Sequence, residues 1–232
     1  MTHVLVSGAN RGLGLEFTRQ LLARGARVIA ACRQPGRANE LTAQAAAHPG
    51  HLHVLPLDVN RPSSITELAR EAGMLFGQLD LLINNAGVLV AGERFGELDA
   101  EPLEASFRSN VVGALLLTQA LAPLLAKGAQ SRVANVSSVL GSIASAGEFR
   151  SPSYSISKAA LNMATVQSAH ALAGQGTSVV ALHPGWVRTD MGGAQAAIEP
   201  VDAVRGMLKV IDAMTLAKTG RFLDWQGKTL PW

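Results

Sequence analysis

Tyr154 and Lys158 are the two residues of this chain whose types and spacing most directly indicate acid–base chemistry. They stand four residues apart at the start of a predicted helix, so they share one face and the ammonium can stand near the phenol. A free phenol has a pKa of about 10, and a cation within a few ångströms favours the phenolate. Lowering that pKa by two to three units takes roughly 3–4 kcal/mol, which a partly desolvated lysine can supply. Alone, the pair is more typical of an exposed lysine beside a half-buried tyrosine than of a catalytic site.

Residues 7–14, Ser-Gly-Ala-Asn-Arg-Gly-Leu-Gly, are the second stretch with chemical meaning. They follow a short apolar run and precede leucines and a phenylalanine at helical spacing, which predicts a strand, a tight turn and a helix. Glycines let a backbone approach a pyrophosphate closely, and the following helix N-terminus attracts its charge. The spacing does not fit Gly-x-Gly-x-x-Gly, and an ordinary turn also uses such glycines. The stretch therefore predicts a dinucleotide site that later motifs must support.

Composition predicts one domain with one sizeable core, since 48% of the 232 residues are hydrophobic and no linker or repeat interrupts them. The formal net charge is +3 without any basic or acidic run, which favours a small-molecule partner over nucleic acid or a membrane. The single Cys32 excludes an internal disulfide and is typical of a reducing compartment or a buried small hydrophobe. Because the N-terminus enters a strand at once and lacks a secretory signal, we expect a cytoplasmic protein.

Strand and helix patterns alternate along the whole chain, which predicts an α/β fold with a doubly wound parallel sheet and helices on both faces. Beyond the N-terminal strand, strands are predicted at 27–32, 51–57, 79–83, 132–136, 177–182 and 221–223. Further helices are predicted at 38–47, 62–75, 101–127, 152–173 and 201–214. Ser63 or Ser64 is the expected cap of the helix from 62. The apolar stretch 111–126 is too short to span a bilayer and predicts a buried helix, kinked or ended near Pro123.

Polar or small residues follow most of the predicted strands, at their carboxyl ends. In a doubly wound sheet these ends surround the crevice in which ligands bind. We therefore expect one site to collect the following groups: residues 8–14, Arg33, Asp58, residues 84–87, Ser138, Pro184 and Gly185.

The order and spacing of these motifs, with Tyr154 and Lys158, resemble the short-chain dehydrogenase/reductase family over almost the full chain. The resemblance implies a Rossmann-like sheet of about seven strands, with residues 1–135 binding the dinucleotide and residues 136–232 carrying catalysis and substrate contacts. It implies a catalytic tetrad of Asn110, Ser138, Tyr154 and Lys158. Tyr154 would exchange a proton with the substrate oxygen, to which Ser138 would hydrogen-bond. Lys158 would bind the nicotinamide ribose and lower the Tyr154 pKa, and Asn110 would hold a proton-relay water.

The implied cofactor contacts are spread over all these motifs. They are Ser7, Gly8, Asn10, Arg11, Gly12, Leu13, Gly14, Arg33, Asp58, Val59, Asn85, Ala86, Gly87, Tyr154, Lys158, Pro184, Gly185, Val187, Thr189 and Met191. Residues 10–14, 116–120, 157–163, 183–193 and 230–232 resemble, more narrowly, the branch of sniffer-type carbonyl reductases and bacterial C-factor-like proteins. The resulting prediction is an oxidoreductase that interconverts a carbonyl and an alcohol. The alternative is a dinucleotide-binding signalling or regulatory protein with little or no turnover.

NADP(H) is predicted over NAD(H) because the second strand ends at Arg33, where an NAD site usually carries an acid. The next acid, Glu40, lies inside the following helix, so no carboxylate is expected to repel a 2′-phosphate. Arg11 would add a second cation. The alternative is that Arg33 and Arg37 are solvated loop charges.

Three histidines, six apolar residues and two helices also allow a functional interpretation. His48, His51 and His53 lack a cysteine or carboxylate at ligand spacing, so no metal site is predicted. Six apolar residues at the expected crevice are candidates for the substrate pocket or for core packing: Leu89, Val90, Leu140, Phe149, Trp186 and Met191. Helices 101–127 and 152–173 pair across a two-fold axis in related enzymes, which predicts a homodimer or homotetramer.

Overall fold

A seven-stranded sheet, parallel throughout, forms the centre of the computed structural model, which describes residues 2–232. The strands are β1 His3–Ser7, β2 Arg27–Cys32, β3 Leu52–Pro56, β4 Leu81–Asn84, β5 Arg132–Val136, β6 Ser178–His183 and β7 Arg221–Asp224. Their order is β3-β2-β1-β4-β5-β6-β7, so the direction of winding reverses between β1 and β4. This confirms the predicted Rossmann-like sheet and places its switch point directly after Ser7 and Asn84.

Seven α-helices cover both faces of the sheet: α1 Gly12–Ala23, α2 Asn39–Ala47, α3 Pro62–Phe76, α4 Ala100–Phe107, α5 Gly113–Leu125, α6 Pro152–Ala173 and α7 Pro200–Asp212. Because side chains alternate along a strand, Val4 and Val6 enter the core under α1, α2 and α7. Leu5, between them, enters the core on the opposite face, under α3 and α5. Burial on both faces explains why the strands are continuous apolar runs instead of alternating patterns.

The helical segment Ala100–Leu125 differs from the prediction at one point. It ends two residues after Pro123, as expected, but a π-helical turn at Arg108–Val112 interrupts it between α4 and α5. Among residues 2–232, this is the one segment whose length and composition would suit a membrane span, yet half of its most apolar window is buried inside the protein. Leu117 and Leu121, for example, are fully buried against the sheet face that α3 also covers.

The start of α3 corrects another expectation. Its N-cap is Arg61 and Pro62 is the first helical residue, so Ser63 and Ser64 lie inside the first turn and neither is the cap. The Ser64 hydroxyl instead accepts a 3.0 Å hydrogen bond from the backbone N–H of Asp58. This contact fixes the turn that follows β3.

Candidate active site

The carboxyl ends of the strands enclose a cleft of about 480 Å³ that collects most of the predicted contact residues. Sixteen of them line it: Gly8, Asn10, Arg11, Gly12, Leu13, Arg33, Asp58, Val59, Asn85, Ala86, Gly87, Tyr154, Lys158, Pro184, Thr189 and Met191. Ser7, Gly14, Gly185, Val187, Asn110 and Ser138 are not among the lining residues. Most of the predicted residues therefore do meet in one cleft. We refer to the six that do not line it as the second layer.

Ser7 and Gly14 lie in that second layer and shape the glycine turn. The Ser7 hydroxyl accepts 3.1 Å hydrogen bonds from the backbone N–H groups of Asn85 and Ala86, which joins the ends of β1 and β4. A Cβ on Gly14 would stand 2.2 Å from the carbonyl oxygen of Gly8, so only glycine permits this approach. Gly8, with φ of 65°, takes a backbone conformation that other residues rarely adopt.

The N-terminus of α1 suits an anion. Its N-cap, Arg11, is extended and makes no side-chain capping hydrogen bond, and its first turn contains no acidic residue. Backbone N–H groups at such a terminus are not satisfied within the helix and carry the positive end of its dipole. Together with the glycine turn, this geometry fits a pyrophosphate.

Gly185 and Val187 support the loop after β6. A Cβ on Gly185 would approach the Ile198 side chain to 2.3 Å, and Val187 is buried, with a bridge to Ile198. They hold Pro184, Thr189 and the exposed Met191 at the cleft wall.

Tyr154 stands in the first turn of α6, with its phenol group buried at the cleft. Burial raises the pKa of this phenol to about 12, and a hydrogen bond with the Ser138 side chain opposes that rise. The side chain is therefore a neutral phenol at physiological pH. This is the form that donates a proton, and Ser138 lies where it can contact the same acceptor.

Lys158 lies one helical turn further along α6, and its ammonium nitrogen is 5.4 Å from the centre of the Tyr154 ring. Burial lowers its pKa to about 8. Nζ donates a 2.7 Å hydrogen bond to the carbonyl oxygen of Val136, which leaves it two more donors at the cleft. The expected lowering of the Tyr154 pKa by Lys158 is not found: burial raises that pKa, and the group that opposes the rise is Ser138.

Asn110 occupies the π-helical turn, a distortion that occurs frequently at functional sites. Its side-chain oxygen accepts from the Val88 N–H at 2.8 Å, and its amide donates to the Val88 carbonyl and to Ser157, both at 2.9 Å. The side chain thus joins the loop after β4 to the helix that carries Tyr154 and Lys158.

Arg33 and Arg37 provide positive charge at the end of the cleft that follows β2. Within residues 2–232 neither forms an ion pair, and Glu40 is engaged by Arg19 at 2.7 Å. Arg11 differs from the expectation, since it pairs with Asp190 at 2.8 Å. A carboxylate therefore does stand at this cleft, and it compensates part of the Arg11 charge.

The turn after β3 connects this end of the cleft to the π-helical turn that carries Asn110. Asp58 accepts the Asn60 N–H at 3.0 Å, and the Asn60 side chain accepts a 2.9 Å hydrogen bond from Ser109. Ser109 directly precedes Asn110 in the π-helical turn. A Cβ on Gly113 would stand 2.7 Å from the side chain of Val59, so the two segments also pack closely.

Of the six apolar residues proposed for the substrate pocket, Met191 lines this cleft and the other five are not among its lining residues. Phe149, Trp186 and Met191 are each about half exposed, at 52%, 53% and 48%, so core packing does not account for them. Leu89, Val90 and Leu140 are partly buried.

The three clustered histidines have separate environments. Nδ1 of His48 is 3.0 Å from the Gln44 carbonyl, Nδ1 of His51 is 3.4 Å from the Ala26 carbonyl, and the His53 ring meets Phe76 edge-on.

Several lining residues escaped the sequence interpretation, among them Gln34, Asn60, Val88, Ser109, Ser137 and Asp190. Asn60 and Ser109 directly neighbour predicted residues, so a search of the flanking positions would have found them. Asp190 lies between the predicted residues Thr189 and Met191 and would have been found in the same way, whereas its contact with Arg11, 179 residues away, had no local signal.

Comparison with known proteins agrees with this geometry. Residues 2–199 match the sequence profile described as short chain dehydrogenase. The chain is 45% identical to the C-signal protein of Myxococcus xanthus over 156 residues, which cover 67% of this chain and 94% of that protein. Its fold is similar to a carbonyl reductase from chicken fatty liver solved with NADPH bound (39% identity, TM-score 0.94, coverage 100% and 99%). It is also similar to the carbonyl reductase Sniffer of D. melanogaster (30% identity, TM-score 0.96, both chains fully covered).

Proposed function

The chain belongs to the short-chain dehydrogenase family, and we propose that it is an NADPH-dependent reductase that converts a small carbonyl compound to an alcohol. The observation that carries the proposal is the buried Tyr154 phenol, whose pKa Ser138 influences and which stands one helical turn from Lys158, at a cleft that contains a glycine cradle. Carbonyl reductases are among the proteins of similar structure. The reverse reaction would use the same residues.

The residues present fit a nicotinamide dinucleotide. The α1 N-terminus and the glycine turn would hold the pyrophosphate, while Asp58 and Val59 would flank the adenine. Lys158 would donate to the nicotinamide ribose with the hydrogens not used by Val136. When bound, the reduced nicotinamide supplies the hydride.

Tyr154 completes the reduction by donating its proton to the substrate oxygen. A phenol with a pKa of about 12 remains protonated until a strongly basic oxygen develops beside it. The Ser138 hydroxyl stabilises the same oxygen. Asn110 holds the π-helical turn against α6. We assign to Asn110 the proton-relay water through which Tyr154 would recover its proton.

Cofactor preference follows from Arg33 and Arg37. Both line the cleft without an ion pair in the described chain, so both are available to a 2′-phosphate. Arg11, engaged by Asp190, contributes less. A charged hydrogen bond to phosphate is worth roughly 1.5–3 kcal/mol, which is enough to decide between NADPH and NADH.

A second candidate function is a dinucleotide-binding signalling protein with little turnover. The identity to the C-signal protein is the observation that favours it. The test is NADPH consumption with a panel of aldehydes, ketones and quinones. Turnover of any of them supports the reductase, whereas tight NADPH binding without turnover supports the signalling function.

A further inference from the structure

Helix α6, which carries Tyr154 and Lys158, begins without a cap from its own sequence. Its N-cap residue, Ser151, is in the left-handed region with φ of 41° and makes no side-chain capping hydrogen bond. Pro152 has no N–H, and the Ser155 N–H donates to the Ser151 carbonyl at 2.8 Å. The N–H of Ser153 is therefore a donor that needs a partner from elsewhere.

Glu93 supplies that partner from the loop after β4, 60 residues earlier in the chain. One carboxylate oxygen accepts the Ser153 N–H at 3.2 Å, and the other accepts the Ser153 hydroxyl. Ser153 is almost completely buried, and Glu93 is partly buried. A carboxylate that accepts hydrogen bonds at a helix N-terminus both satisfies a donor and stabilises the positive end of the helix dipole.

A second contact reinforces the connection between the same two segments. Phe95, two residues after Glu93, meets Phe149 edge-on with ring centres 5.7 Å apart. Phe149 lies in the loop that leads into α6. The Glu93 carboxylate and the Phe95–Phe149 contact therefore join the loop after β4 to the entrance of the catalytic helix, directly beside Tyr154.

We propose that Glu93 is a positioning residue that caps α6 from a distant loop and sets the orientation and protonation of Tyr154. The expected effect of Glu93 on kcat rests on the proposed reductase function. The expected effect on the phenolate titration of Tyr154 does not depend on turnover. A negative charge at this helix end opposes formation of the Tyr154 phenolate, and its loss favours the phenolate.

The chain offers a direct readout, because Tyr154 is its only tyrosine. Phenolate absorbance during an alkaline titration therefore reports on this residue alone. Glu93→Gln keeps the shape of the side chain and removes the charge, while Glu93→Ala removes the cap. Glu97→Gln, at an exposed position in the same loop, is the matched control.

For Glu93→Gln we expect the phenolate titration to move down by about 0.5–1 pH unit. We expect kcat to fall about ten- to a hundredfold, as misplacement of a catalytic group does, with NADPH affinity within about twofold of wild type. Glu93→Ala should show the larger loss, and Glu97→Gln should match wild type. An unchanged phenolate titration in both Glu93 variants overturns the inference, whether or not kcat falls. If wild type turns over no carbonyl compound, the proposed function fails while the titration still tests Glu93.

Discussion

The ammonium of Lys158 donates a 2.7 Å hydrogen bond to the carbonyl oxygen of Val136, the last residue of β5. Ser138 follows two residues later, so one strand end positions both the hydroxyl and the lysine of the candidate site. Lys158 is therefore held by the sheet as well as by its own helix. The consequence is a buried cation whose pKa is lowered to about 8 by desolvation.

This pKa predicts the alkaline limb of activity. The charged form of Lys158 binds the ribose and is lost as the pH rises through about 8. We expect kcat/KM for NADPH to fall above that pH, since this ratio reports groups of the free enzyme. A pH profile that stays flat well above pH 8 would contradict the role of the charge.

The same pKa predicts a pH dependence of stability. Lys158 titrates near 8 when folded and near 10.5 when unfolded, so between these values the unfolded state binds more protons. The free energy of unfolding should therefore rise through this window because of Lys158. Lys158→Met should lack that part of the rise, which urea unfolding of both proteins at several pH values measures. Identical pH dependence of the two proteins would show that Lys158 is not desolvated.

Gly141→Ala should displace the catalytic helix. The new Cβ would stand 2.6 Å from the carbonyl carbon of Lys158 and 2.8 Å from the Ala159 nitrogen, so α6 must shift. A displacement of about 1 Å costs on the order of a hundredfold in rate, and we expect such a loss of kcat. Gly147→Ala, in the loop that leads into α6, meets open space and is the control. Equal activity of the two variants would contradict the predicted displacement.

Arg33→Ala should weaken NADPH binding by about ten- to a hundredfold and leave NADH nearly unchanged. The reason is the loss of a charged contact that only the 2′-phosphate makes. Cofactor titrations of wild type, Arg33→Ala and the distant Arg221→Ala would measure it. If wild type prefers NADH in kcat/KM, the assignment of the arginines is wrong.

Self-association through α5 and α6 remains a prediction. The apolar surface that these helices expose is smaller than the sequence indicated. Leu117, Leu121 and Leu161 are buried within the chain, whereas Leu115, Ile156 and Met163 are exposed at 41%, 56% and 60%. We expect a dimer or tetramer at micromolar concentration, and Ile156→Glu or Met163→Glu should dissociate it. Sedimentation of wild type as a monomer would remove the idea.

Helices and strands were predictable where a local sequence pattern marks them. The strands at 27–32 and 132–136 and the helix at 152–173 were predicted with the bounds that the structure has. A strand buried on both faces is a continuous apolar run, and polar clusters mark the carboxyl ends of such strands. The cleft could therefore be assembled from sequence before its shape was known.

The remaining features depend on contacts between distant segments, which no local pattern encodes. The π-helical turn at Asn110 is fixed by hydrogen bonds to Val88 and Ser157. Asp190 reaches Arg11 across 179 residues, and Glu93 reaches Ser153 across 60. The pKa of Tyr154 also escaped prediction, because burial of the phenol raises it and the extent of that burial cannot be read from the sequence.

The central claim is that Tyr154 supplies the proton in a hydride transfer from NADPH to a carbonyl carbon. NADPH deuterated at nicotinamide C4 tests it most directly, with wild type and Tyr154→Phe compared on any carbonyl compound that wild type reduces. Wild type should place one deuterium on the alcohol carbon. Tyr154→Phe should bind NADPH normally but form this product about 10²–10⁴-fold more slowly. Deuterium transfer by Tyr154→Phe at the wild-type rate, or no transfer by wild type to any member of the panel, would contradict the account.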